Sequence, residues 1–225
     1  MWRIRDVFYV LLLYFGVVTL FKFCEAMLFG KEVLQDINLL PAFMLLGDII
    51  DAITLTALPI FFITKFYKLN LIEIGITFVR FRRNLWLGLV VGIALLVVVS
   101  IFNAGIKLIL GEIPMHPYIE KLKLAHNVWD YLAIFISILI LSPIPEEVFL
   151  RGFAYTLLKK RCGKGTAVIV SSLIFAAAHL NFHWAAQIMI IGIGLALLFE
   201  STKSLVSVTI AHSLFNLLSV LISYI

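Results

Sequence analysis

Charge is what this chain most lacks. Asp, Glu, Lys and Arg together make up 14% of its 225 residues, while 63% are hydrophobic. Soluble domains carry about a quarter charged residues and about half apolar ones. A water-soluble core cannot bury that much apolar surface, whereas a bilayer accepts it on every lipid-facing side chain. Cysteine is nearly absent, with only Cys24 and Cys162. That excludes a disulfide framework or a cysteine-rich metal site. The formal charge of +5 does not indicate a nucleic-acid partner, because the basic residues fall in short clusters between apolar runs, where the positive-inside rule expects them.

What is present is a series of apolar runs. Seven are long enough, or nearly so, to cross a hydrocarbon core of about 30 Å at about 1.5 Å per residue. They are Val7 to Phe23, Pro41 to Phe66, Leu85 to Leu110, Trp129 to Leu158, Thr166 to Leu180, Trp184 to Phe199 and Leu205 to Ile222. The first follows Arg3 and Arg5 without a small-residue cleavage site, and reads as a retained helix. The fifth and sixth are short and joined tightly, like a helical hairpin.

The expected fold is an all-α polytopic bundle of about seven transmembrane helices forming one membrane domain over 1–225. With the N-terminus in the cytoplasm, twelve Lys and Arg fall on the inside and five on the outside, Arg151 being left aside within a span. That bias sets the orientation and puts Cys24 and Cys162 on opposite sides. The linker from Leu69 to Asn84 mixes Ile72, Phe78 and Phe81 with Arg80, Arg82 and Arg83, as a segment anchored on an anionic surface does. The stretch from Gly111 to Val128, with Pro114 and Pro117, reads as an external loop.

Ionisable residues inside spans are the informative ones, since each costs roughly 2.5 to 3.5 kcal/mol to insert at a helix centre. The fourth span carries Glu146, Glu147 and Arg151, the fifth ends on His179, and the seventh holds His212 and Asn216. Measured from the nearest basic cluster, Glu146, His179, His212 and Asn216 lie roughly 14 to 22 Å deep. Unrelated structural polar residues have no reason to share a depth, so a common site is expected. Ser142, Pro143 and Pro145 interrupt the fourth span, so that Glu146 begins a new half-helix whose N-terminal dipole favours a carboxylate. Such a group can serve as a general base. Glu147 and Arg151 are four apart, the spacing of an ion pair that lets both charges survive in lipid. His212 and Asn216, also four apart, share one helix face.

The run Glu146 to Phe153 reads E-E-x-x-x-R-G-F, Phe175 to His179 reads F-x-x-x-H, and His212 to Asn216 reads H-x-x-x-N. Together and in this order they resemble the CPBP family of intramembrane proteases, the CAAX proteases and bacteriocin-processing or immunity proteins also called the ABI family. The resemblance implies a catalytic core over 126–222, on a bundle of seven to eight helices with one broken helix carrying the E-E-x-x-x-R motif. It implies that Glu146 with His179 activates the attacking water and that His212 and Asn216 stabilise the oxyanion. Glu147 and Arg151 would hold the site together. The depth of these residues indicates that substrate comes in from the membrane or the cytoplasmic side, as a peptide near the inner leaflet, lipidated or not, and the resemblance implies a prenylated CAAX-type or bacteriocin-like one. The compact length points to a prokaryotic cell membrane.

Glu146, His179 and His212 also make a possible Zn²⁺ ligand set, although no H-E-x-x-H pair is present, and a metal-independent glutamate mechanism is favoured. Asp48 and Asp51 sit on one helix, where a polar cavity or helix packing is a better reading than an aspartyl dyad. His183, His116 and His126 read as loop residues. Alanines and glycines in the fifth and sixth spans indicate close helix packing. Two competing classes are a transporter, which lacks the support of an internal repeat, and a non-catalytic scaffold or immunity protein of the same fold.

Overall fold

The structure, a computed structural model, describes residues 3–34, 40–111, 119, 122–123 and 125–224. The Pro114 to Pro117 turn and His116 of the external loop lie outside the described residues. Among those described there is no strand, and six helical stretches are long and apolar enough to cross a membrane. Helix α1 is Ile4–Leu34, α2 Leu40–Phe61 and α3 Phe81–Leu110. Then come α4 (Val128–Ile136), α5 (Pro143–Glu147), α6 (Thr156–Ala178), α7 (Ala185–Thr202) and α8 (Leu205–Tyr224). Large apolar side chains such as Leu12, Leu20, Trp86 and Ile101 stand exposed on the outside, as they do in a protein solvated by lipid. The chain is an integral membrane protein.

The stretch from α4 to α6, Val128–Ala178, runs helically for 51 residues. Straight, it would reach about 77 Å, more than twice the thickness of a hydrocarbon core. It is not straight. Gly163 interrupts α6 with φ 81° and ψ 171°, a conformation open to glycine. Along a straight helix Arg151 and Phe175 would be about 36 Å apart, yet the Arg151 guanidinium lies 4.8 Å from the centre of the Phe175 ring. The chain therefore folds back at Gly163, and its two arms supply two crossings. With them the bundle has about seven, as expected.

The Pro143 and Pro145 break is gentler than a gap. The helix widens into π-helical turns at Ser137–Leu141 and again at Val148–Tyr155, on either side of the short α5. Proline contributes no N–H, so carbonyls in the preceding turn lose their helical donors. Helix α8 supplies the replacements: Ser213 Oγ donates to the Leu139 carbonyl at 2.7 Å and Asn216 Nδ2 to that of Ile138 at 3.3 Å. The break and the last helix are thus joined by side chains that satisfy it, as backbone in lipid requires.

Small residues let the helices close around this centre. A Cβ on Gly88 would come 2.7 Å from the Ser207 carbonyl of α8, and one on Gly92 2.9 Å from that of Ala211. Helix α7 approaches α6 likewise, where a Cβ on Gly192 would meet Ser172 at 3.0 Å and Phe175 at 3.2 Å. This is the close packing that the alanine and glycine content suggested.

The Leu69 to Asn84 linker departs from a purely surface reading. Ile72, Phe78 and Val79 are exposed, in keeping with a bilayer-surface anchor. Ile74, however, is fully buried, and the Leu205 N–H donates to the Gly75 carbonyl at 2.8 Å. The reason is Gly152, the glycine of the E-E-x-x-x-R-G-F run: a Cβ there would lie 2.9 Å from the Ile74 carbonyl. The notch it leaves seats the linker.

Candidate active site

Two carboxylates that are neighbours in sequence face different partners. Glu147 and Arg151 are both fully buried, and Arg151 Nη1 donates to Glu147 Oε1 at 2.9 Å. The other end of the guanidinium donates to the Gly192 carbonyl at 3.2 Å, and its face stacks on Phe175, a cation–π contact. The same Glu147 oxygen lies 2.8 Å from His212 Nδ1. An ionised carboxylate only accepts, so the ring proton belongs on Nδ1, and Nε2 is left to face the site. This is how a buried carboxylate orients a working imidazole.

Glu146, with a side chain 23% exposed, is held from below. Ser142 Oγ donates to its Oε1 at 2.7 Å. Its buried Oε2 accepts no hydrogen bond from the described protein and lies 3.7 Å from His212 Nε2. That separation is too long for a direct hydrogen bond. It does allow one oxygen atom to sit about 2.8 Å from both.

His212, His179 and Asn216 line a cavity of about 590 Å³, together with Phe175, Ser142 and Gln187. The Phe175 ring touches His179 edge-on at 4.8 Å between centres and His212 at 5.7 Å. His179 Nδ1 lies 2.9 Å from the Phe175 carbonyl, which again leaves Nε2 available. One of the two N–H groups of Asn216 is engaged on Ile138, and the second remains to serve the cavity. The structure therefore brings His179, His212 and Asn216 to one cavity and Glu146 to 3.7 Å from His212, with one difference from the expected pairing. The histidine beside Glu146 is His212, and His179 joins through Phe175 and the cavity wall.

Glu146 itself borders a smaller cavity of about 160 Å³, with Tyr14, Asp48, Asp51 and Ser137, and Ser142 lies on the walls of both cavities. Tyr14 donates to Asp51 at 3.3 Å. The two aspartates thus contribute to a polar cavity, one of the two readings expected of them. His183 lies in the loop before α7, its N–H on Asn181. His126 stands ahead of α4, its N–H on Asp130.

Sequence reasoning missed Ser142, Phe175, Gly192 and Ser213 as parts of the site. Ser142 sits four residues before Glu146, at helical spacing, which is a usable signal. Phe175 opens the F-x-x-x-H run, but nothing in the sequence marks it as the floor beneath two histidines. Gly192 acts through its backbone, which composition does not show.

Three His, Cys, Asp or Glu side chains do not converge as a metal-holding group anywhere among the described residues. Glu146, His179 and His212, the Zn²⁺ set considered from sequence, are not gathered as such a group, although the contact of Nδ1 with Glu147 leaves His212 Nε2 free.

Residues 128–218 match the family described as type II CAAX prenyl endopeptidase Rce1-like. This stretch is similar to the Rce1-like domains of the CPBP family. It contains every residue of the candidate site, from Ser142 to Asn216. The chain is also similar to an uncharacterized 24.3 kDa protein of Escherichia coli, 28% identical over 116 residues, covering 49% of this chain and 52% of that protein. The chain thus spans about half the length of the curated relative it matches. No solved structure matches it.

Proposed function

We propose that the chain is an intramembrane endopeptidase that hydrolyses a peptide bond with water activated by Glu146. The observation that carries this reading is the convergence of Glu146 Oε2 and His212 Nε2 at 3.7 Å, where His212 forms part of the wall of a cavity large enough for a peptide segment. Amide hydrolysis needs a base for water and donors aimed at the oxygen that becomes negative. Glu146 takes the proton of the attacking water. His212, with its proton on Nδ1 towards Glu147, accepts the water's other hydrogen at Nε2 and so orients the water, while the second N–H of Asn216 addresses the carbonyl oxygen. His179, across Phe175, completes the wall against which the water is held. Arg151 positions Glu147 and, through it, His212.

The test uses purified chain in detergent with quenched-fluorescent apolar peptides, with and without a prenylated cysteine. Glu146→Gln is expected to lower kcat by about a hundred- to ten-thousand-fold, the usual worth of a general base, while thermal unfolding stays close to wild type. Because this reading makes the Glu146 carboxylate itself the base, chelator treatment is expected to leave cleavage intact. A folded wild type that cleaves no peptide in the library would sink the reading in favour of a scaffold of the same fold.

A further inference from the structure

The larger cavity lies towards one face of the bundle. Its deepest residues sit about mid-membrane: His212 is nine residues from Lys203 and Ile191 twelve, about 14 and 18 Å along their helices. From there it runs away from Lys203. Ser219 is about 24 Å along α8 from that lysine, Trp184 about 29 Å along α7, and Asn103 about 33 Å from the start of α3. Asn181, in the loop before α7, borders the same end.

The opposite face is where the basic residues gather, and the fold ties them together. Lys159 bridges to Glu200 at 2.7 Å and Lys160 to Glu73 at 3.8 Å, while Lys203 also pairs with Glu200. Tyr67, just after α2, bonds Asp6 at the start of α1, so the first two helices contribute Arg3, Arg5, Lys65 and Lys68 to this face. Arg80, Arg82 and Arg83, at the start of α3, are exposed there. By the positive-inside rule this face is cytoplasmic. No Lys, Arg, Asp or Glu lines the cavity that opens away from it.

We infer that the site takes its substrate from the extracytoplasmic side of the membrane, as an internal apolar segment of a peptide. The inference rests on the peptidase reading for its occupant but not for its side of access. It departs from the inner-leaflet approach expected from depth alone. The lining decides the class of peptide: Val99, Ile188 and Phe215 accept apolar side chains, and Asn103, Asn181 and Ser219 offer hydrogen bonds to backbone near the mouth. A free C-terminal carboxylate would meet no cation in this cavity, so a bond within the chain is preferred over one near a charged tail.

Cysteine labelling in intact cells tests the side of access without any assay of activity. Cys162 is exposed and follows Lys159, Lys160 and Arg161 on the basic face. In a Cys24→Ser background it reports that face. Asn181→Cys, and separately Ser219→Cys, each with both native cysteines replaced by serine, report the mouth. A membrane-impermeant maleimide is expected to label the two mouth variants in intact cells and Cys162 only after permeabilisation. The reverse pattern overturns the inference whatever the enzyme does. An internal apolar peptide added outside is then expected to protect Ser219→Cys from labelling, and its amidated and free-acid forms to protect alike when the C-terminus lies far from the apolar stretch. Labelling as expected with neither protection nor cleavage overturns the peptide occupant and the peptidase reading together, and leaves the side of access standing.

Discussion

Two carboxylate-centred networks in this protein use similar chemistry in different surroundings. At mid-membrane, Glu147 joins Arg151 and His212 with no solvent exposure on either partner of its ion pair. On the basic face, Glu200 receives Tyr155, Lys159 and Lys203, but the two lysines are 35% and 54% exposed. Water competes for the second network and not for the first. A buried pair is costly to assemble and costlier still to leave half-made, whereas an exposed one is nearly neutral. The comparison explains why the motif glutamate and arginine come as a pair, and why the surface network serves to gather helix ends without holding the bundle together.

The largest effect should come from breaking the inner network on one side only. Arg151→Met leaves Glu147 buried with only His212 as partner, and should destabilise the protein by about 3 to 5 kcal/mol, read by unfolding in detergent. Adding Glu147→Gln should recover part of that loss, because the stranded charge goes with it. If the single and double variants unfold alike, the charge is not the source of the cost. A smaller effect is expected from Gly152→Ala, whose Cβ would lie 2.9 Å from the Ile74 carbonyl. Forcing the linker out of its notch should cost about 1 to 3 kcal/mol and raise protease nicking between residues 69 and 79. The smallest should be Lys159→Ala, within about 1 kcal/mol of wild type and diminished further by salt. A loss comparable to that of Arg151→Met would make the two networks equivalent and undo the comparison.

Much of the candidate site was legible before any coordinates. Ionisable residues are so costly in lipid that Glu146, Glu147, Arg151, His179 and His212 stand out by position alone, and spacings of four put His212 with Asn216 and Glu147 with Arg151 on single faces. Long-range partnership was less legible. Periodicity gives no reason to choose between His179 and His212 as the neighbour of Glu146. That choice follows from how α8 docks against the proline break, where Ser213 and Asn216 take up the freed carbonyls of Leu139 and Ile138.

The division between sequence and tertiary structure has a physical cause. Residence in the membrane, the number of crossings and the polar layer at mid-depth follow from hydropathy and helical rise, which are properties of single segments. The three-way sharing of Glu147, the Phe175 floor beneath two histidines and the notch at Gly152 depend on the relative rotation and offset of helices distant in the chain. So does the direction in which the main cavity opens. Those are settled only when small residues such as Gly88, Gly92 and Gly192 let backbones meet, because van der Waals fit and satisfied polar groups are what join helices in lipid, and neither is written in any one helix.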